Sequence, residues 1–225
     1  LVHVGKLLKA LGYSRQIPQQ KDPRQDKGQV RQWKEKRLKA LKTEAFEQGR
    51  AFCYADEASF FLNPTFRAGY APKGQPPVAH TWDKSFKHVF ACSAISCQGD
   101  FVYTFSDQPY TGEKIVEFLK ELLAHFSQPI TLVWDGASIH FCKAVKAFLT
   151  ELPDGRLKLV RLPAYSPELN ADEQVWNYIK NVKLRNRVFK KVSHLEKSLH
   201  KVFDEFSQNK TMIRRFFHHP KVAFY

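Results

Sequence analysis

Apolar residues along this chain change rhythm several times, and each rhythm predicts an element. In "LVHVGKLLKALGYS", Val4, Leu7, Leu8 and Leu11 recur three and four apart, which predicts a helix over 1–14 that ends at Gly12. Residues 15–28, "RQIPQQKDPRQDKG", hold two prolines and no periodicity, and are expected to link. Residues 29–48 predict a charged helix anchored by Trp33, Leu38, Leu41 and Phe46. The pattern then becomes β-like. "RAFCYADEASFFL" (50–62) is a strand run ending at acids, and 66–77 has turn residues with room for a short second strand. "HVFACSAIS" (88–96) and "FVYTFS" (101–106) flank "CQGD" as a hairpin. Residues 111–127 predict an amphipathic helix capped by Thr111, with Ile115, Phe118, Leu119, Leu122, Leu123 and Phe126 on one face. A buried strand (130–135), a helix (138–152), a strand (157–163) and a helix (170–184) follow. One or two helices rich in Lys, Arg and Phe occupy 193–217.

Strands first and then alternating helix and strand predict an α/β domain: a mixed sheet flanked by helices, in the order of a ribonuclease H-like fold. At 225 residues, with 43% hydrophobic and 14% aromatic content, the chain can bury one sizeable core. No apolar run reaches the length of a membrane span, and the N-terminus carries no secretory cleavage pattern. The sole methionine is Met212, so the chain is expected to be part of a longer protein. Cys53, Cys92, Cys97 and Cys142 lie in apolar stretches without metal-ligand spacing, which predicts buried free thiols in a reducing, cytoplasmic setting.

Charge divides the chain further. The net charge is +14, yet residues 51–176 hold 11 Lys/Arg against 14 Asp/Glu. Residues 1–50 hold 13 against 5, and residues 177–225 hold 12 against 3. Two basic flanks around an acidic centre suit a polyanion outside and divalent cations inside. Asp56 follows Phe52 and Tyr54 at spacing two, and Asp135 follows Thr131 and Val133 in the same way. Each acid is expected to end one face of a strand. On neighbouring parallel strands the two would come together at the carboxyl end of the sheet, where Mg²⁺ takes such oxygen ligands. The third acid lies in "RLPAYSPELNADEQVW" (161–176). With Asn170 as helix cap, Glu173 falls at the capping-box position, so a cap and a ligand are both open there. Helical spacing does not separate Asp172 from Glu173.

These blocks carry a resemblance. "LPAYSPELNADEQVW", "YADEASFFLNPTFRAGYAPKGQPP" and "LVWDGASIH" are similar to the three catalytic blocks of the DDE transposases of the mariner superfamily, especially the bacterial insertion-sequence type. By that match the catalytic, metal-holding acids are Asp56, Asp135 and Glu173. Glu57, His140 and Asn170 are candidate supporting residues, and Lys73, Lys180, Lys183, Arg185 and Arg187 are candidate DNA contacts. The chain departs from the family at Gly136, where Asn is usual, and at Ala171 and Asp172, where Pro and a hydrophobic residue are usual.

The resemblance implies four parts: the end of a helix-turn-helix region (1–14), a linker and charged helix (15–48), a ribonuclease H-like catalytic domain (49–184) and a basic helical extension (185–225). It implies Mg²⁺, replaceable by Mn²⁺, as two ions. The implied partners are the element's terminal inverted repeats, target DNA and a second copy of the chain, with no membrane, in the nucleoid. The implied activity is cleavage and strand transfer of DNA phosphodiesters. A nuclease without strand joining and an inactive DNA-binding remnant are the two alternatives that the same residues allow.

Overall fold

The computed structural model describes residues 2–14, 22–63, 66–68, 71–81, 87–222 and 224–225. Residues 15–21 of the expected linker therefore lie outside the described part. Five strands form one sheet in the order β3-β2-β1-β4-β5. They are β1 (Ala51–Phe61), β2 (His88–Ser96), β3 (Phe101–Ser106), β4 (Ile130–Trp134) and β5 (Leu157–Arg161). β1, β2 and β3 pair antiparallel, while β1, β4 and β5 pair parallel. Two of the expected strand limits, 88–96 and 101–106, coincide with the observed ones. The described residues of 66–77 hold no strand; with prolines and a Gly74 turn at φ +79° they form open loop instead.

Period-two alternation divides the sheet between two cores. On one face Phe52, Tyr54, Val133 and Val160 pack against helices from both ends of the chain. On the other, Ala51, Cys53, Ala55, Leu132 and Trp134 pack against α4 (Gly112–His125) and α5 (Lys143–Glu151). α4 buries Ile115, Phe118, Leu119 and Leu122, and Thr111 Oγ1 accepts the Lys114 N–H at its start. α5 is shorter than expected. A 3₁₀ turn (Ser138–Phe141) precedes it, and Cys142 between the two is extended.

The charged helix departs from expectation instructively. α2 (Lys27–Gln32) passes through a π turn (Trp33–Arg37) into α3 (Leu38–Glu47). The π turn closes a bond from the Leu38 N–H to the Trp33 carbonyl, so two residues five apart share one face. Trp33, Leu38, Leu41 and Ala45 are buried there, while Phe46 points away and is 88% exposed. Phe46 is no anchor, because it follows Leu41 by five residues in regular α-helix.

At the C-terminus, α7 (Val192–Ser207) and α8 (Lys210–Phe217) close the first core. Phe203 meets Phe60, Phe101, Tyr103 and Phe105 at ring separations of 4.8–6.0 Å. The many phenylalanines of this segment thus roof the sheet. α1 (Val2–Ala10) is different: Val4, Leu7, Leu8 and Leu11 are all exposed. The four cysteines are free; Cys53 and Cys92 are buried, whereas Cys97 and Cys142 are only half-buried.

Candidate functional site

The sheet brings two acids together. Tyr54 is the last β1 residue paired with β4, opposite Val133. Two residues further along each strand, on the same face, stand Asp56 and Asp135. Asp135 follows the end of β4, as expected. Asp56 does not end its strand: β1 continues to Phe61, paired with β2 alone. The parallel ladder stops just before the two aspartates, which leaves a notch at the carboxyl end of the sheet.

The third acid enters from above this face. After β5, Tyr165 takes φ +56° and a 3₁₀ turn (Pro167–Leu169) leads to Asn170. Asn170 is extended, its Oδ1 accepts the Asp172 N–H at 3.1 Å, and its Nδ2 donates to the Ala55 carbonyl at 2.9 Å. It thus forms a turn just ahead of α6 (Glu173–Tyr178), whose N-cap position is Asp172 rather than the expected Asn170, and pins the start of that helix beside Asp56. The Asn170 N–H is taken by the Pro167 carbonyl at 2.9 Å, which leaves Glu173 free of the capping box. Glu173 instead lines a cavity of about 380 Å³ with Asp56 and Asp135.

Asp172, which helical spacing did not separate from Glu173, points elsewhere. It is fully buried, and its Oδ2 accepts the Ser93 hydroxyl of β2 at 2.7 Å. Its Oδ1 has no hydrogen-bond partner among the described residues. Burial pushes this carboxyl well above the usual range.

Each cavity acid has its own environment. Asp56 is 9% exposed and accepts Trp176 Nε1–H at 3.1 Å. Burial, and then the charges of Glu173, Asp172 and Glu57, push its carboxyl well above the usual range. Burial also lifts Glu173, while Lys180 and a hydrogen bond to Asp56 pull it back. Asp135 is held below its ordinary value, chiefly by its bond to His140.

His140 is wholly buried and spans two acids. Its Nε2 lies 2.8 Å from Glu57 Oε1, and its Nδ1 lies 2.9 Å from Asp135 Oδ1. Its ring stacks on Trp134 at 4.1 Å and 22°. Burial works against its charge, but the bonds to Asp135 and Glu57 outweigh burial and hold its pKa at about 9. An imidazolium therefore locks Asp135, at the end of β4, to Glu57 on the opposite face of β1.

The basic candidates disperse. Lys180 stands beside the cavity, close enough for its charge to act on Glu173 and Asp56. Arg187 lines a neighbouring cavity. Lys183 pairs with Glu205 at 3.2 Å, and Arg185 donates to the Ala68 carbonyl. Lys73 lies exposed in the open loop and lines neither cavity.

Two supports of the site were not assigned from the sequence. Trp176 as donor to Asp56 was visible only as an aromatic on a helical stripe. Gln25, in the expected linker, donates its amide to the Tyr165 carbonyl at 2.8 Å, Ser166 Oγ at 3.1 Å and Glu168 Oε1 at 2.8 Å. Arg24 lies over the Tyr165 ring at 4.1 Å. The linker thus clasps the turn that walls the acid cavity, a contact across 140 to 143 positions that no local pattern encodes.

Among the described residues no group of three His, Cys, Asp or Glu already converges at metal-ligand spacing. The donor set nevertheless fits a hard divalent cation. Three carboxylates face one solvent-reached cavity, and two of them are destabilised as anions by burial.

Comparison with known proteins places this geometry. Residues 1–37 match a family model described as "Winged helix-turn helix". The "Insertion element IS630 uncharacterized 39 kDa protein" of Shigella sonnei is 27% identical over 150 residues, which cover 63% of this chain and 43% of that protein. The chain thus spans under half the length of that relative. The Mos1 mariner paired-end complex with Mn superposes with a TM-score of 0.71 at 19% identity, covering 99% of this chain and 67% of that one. The isolated catalytic domain of Mos1 mariner transposase superposes at 0.62 and 17% identity, covering 93% and 94%. These likenesses show a shared fold, the mixed sheet of the ribonuclease H-like class. A family model described as "DDE superfamily endonuclease" matches residues 51–196, well over half of the sequence, and the chain belongs to that family.

Proposed function

We propose that this chain is the DNA-cutting and DNA-joining part of a transposase, with Asp56, Asp135 and Glu173 as its catalytic, metal-holding acids. One observation carries the reading: three carboxylates from β1, the end of β4 and the start of α6 line a single cavity at the carboxyl end of the sheet. Family membership supports it, as does likeness to Mos1, whose structures include complexes with transposon ends and a strand transfer complex.

In this reading residues 49–184 do the chemistry, 1–14 end a DNA-recognition region, 15–48 link the two, and 185–225 form a basic extension. Two Mg²⁺ ions, or Mn²⁺ in their place, would be held by the three acids; when bound they supply an activated oxygen nucleophile and stabilise the leaving oxygen of an in-line displacement. The chain's own residues set the stage. Trp176 fixes one oxygen of Asp56. His140 and Glu57 fix the direction of Asp135, and Asn170 fixes the helix that carries Glu173. Lys180 and Arg187 offer positive charge to the phosphates on either side of the reacting one. The substrates are the element's terminal repeats and target DNA, handled by two copies of the chain. Among the described residues no helix is long and apolar enough to cross a membrane.

The test is product analysis. Linear DNA bearing candidate ends is incubated with supercoiled plasmid, the protein and Mg²⁺ or Mn²⁺. Joined product supports the reading. Cutting without joining reduces the protein to a nuclease, and DNA binding without cutting refutes the catalytic assignment.

A further inference from the structure

A second cavity, of about 270 Å³, opens beside the acid site. Arg67, Lys180 and Arg187 line it together with Phe60, Phe61 and Phe189. Lys180 joins the two sites: its ammonium lies 5.3 Å from the centre of the Phe60 ring, and its charge is felt at Glu173 and Asp56. The cavity is built from two segments tied across 119 positions. The Arg67 N–H donates to Asn186 Oδ1 at 2.8 Å, and Asn186 Nδ2 returns a bond to the Arg67 carbonyl at 3.0 Å. Arg67 Nε donates to Asn181 Oδ1 at 3.2 Å, and both residues line the cavity. Asn186 reaches this pairing at φ +57°, a conformation that Asn tolerates better than most residues. No acid stands among the described lining residues.

Three cations without an acid suit phosphate. Phe60 and Phe189 belong to the core, but phosphate alone does not explain the exposed Phe61 ring, and a paired duplex keeps its base faces stacked inside. Phe61 is 46% exposed; its ring meets His88 at 5.0 Å on one side and leaves the rest of its surface open to a base. Aromatic rings beside cations are the chemistry that holds a single-stranded nucleotide. We propose that this cavity receives one unstacked nucleotide of the DNA strand next to the phosphodiester being processed, its phosphate on Arg67, Lys180 and Arg187 and its base against Phe61. The proposal rests on the DNA-processing reading given above.

The test is fluorescence anisotropy in EDTA with three probes. They are a short blunt duplex, the same duplex with a short single-stranded tail, and the same duplex with an abasic tail. The expected result is a preference of about tenfold for the tailed over the blunt duplex, with the abasic tail recovering only part of it. Phe61→Ala and Phe61→Leu remove the base-dependent part, and Arg187→Ala removes the remainder. Phe61 and Arg187 are both exposed, so unchanged melting curves are expected of these variants. Equal affinity for normal and abasic tails would mark a plain phosphate track and overturn the proposal. A preference untouched by the Phe61 and Arg187 variants would overturn it too. If the wild type cuts DNA yet shows no tail preference, only the nucleotide pocket falls. If it neither binds nor cuts DNA, the DNA-processing reading falls with it.

Discussion

At the scale of single residues, the candidate site is an exercise in placing unwelcome charge. Asp56 is pushed above its ordinary range by burial and by three neighbouring acids. Its native form therefore binds protons more tightly than the unfolded chain does. The stability it contributes falls as pH rises from the unfolded value of about 4 towards the native one. Asp56→Asn, which keeps the bond from Trp176, is expected to melt above wild type in EDTA, by a margin that widens from mildly acidic to mildly basic pH. Saturating Mg²⁺ should narrow that margin. Parallel melting curves would show that the carboxylates do not strain one another. His140 makes a second case. Because it acts on the chemistry only through Asp135, His140→Asn or Glu57→Gln is expected to lower cleavage about 10–100-fold with the fold intact. Single-turnover rates and circular dichroism together check this. The acids themselves were legible in the sequence: spacing two marked Asp56 and Asp135 as sharing a face with the core residues before them. The choice between Asp172 and Glu173 was not legible from spacing, because both lie in the first turn of one helix. Only the position of Ser93, on a strand 79 residues away, shows that Asp172 is turned into the core.

At the scale of elements, regular periodicity was read well and its interruptions were not. The hairpin strands and α4 obeyed simple rhythms and appear where expected. The π turn at Trp33–Arg37 brings Trp33 and Leu38 onto one face, a spacing no regular period predicts, and in the α-helix that follows Ala45, not Phe46, continues the stripe of Leu38 and Leu41. Trp33 fills the first core at the start of that turn, and Trp33→Ala should cost about 3–5 kcal/mol in chemical denaturation. A second close fit joins α4 to the His140 turn. Any side chain at Gly112 would collide with Cys142 Sγ. Gly112→Ala is expected to destabilise the protein and lower activity together, because the collision displaces the segment that carries His140. Adding Cys142→Ala should recover most of both losses; absence of any recovery would place the damage elsewhere. The clasp of Gln25 on the turn at 165–168 belongs to this scale as well. Gln25→Ala should slow cleavage while leaving the melting temperature nearly unchanged, since the residue is only half-buried.

At the scale of the whole molecule, basic flanks surround an acidic centre, and the fold brings them together. The C-terminal helices roof one face of the sheet, and the N-terminal linker touches the turn beside the cavity. The charge pattern was plain from composition, but which cations face a ligand was not, because Lys183 is spent on Glu205 and Arg185 on a backbone carbonyl. DNA affinity should therefore fall steeply with salt, and Lys180→Ala should lower the slope of log affinity against log salt by about one. Lys73→Ala should change it little. The central claim is that Glu173, and not its neighbour, completes a divalent-cation site with Asp56 and Asp135. The most direct measurement compares Mg²⁺-dependent DNA cleavage by wild type, Glu173→Gln and Asp172→Asn under identical conditions. The account predicts a loss of at least roughly a hundredfold for Glu173→Gln and near-normal rates for Asp172→Asn. Retained cleavage by Glu173→Gln, or its loss in a well-folded Asp172→Asn, would contradict it.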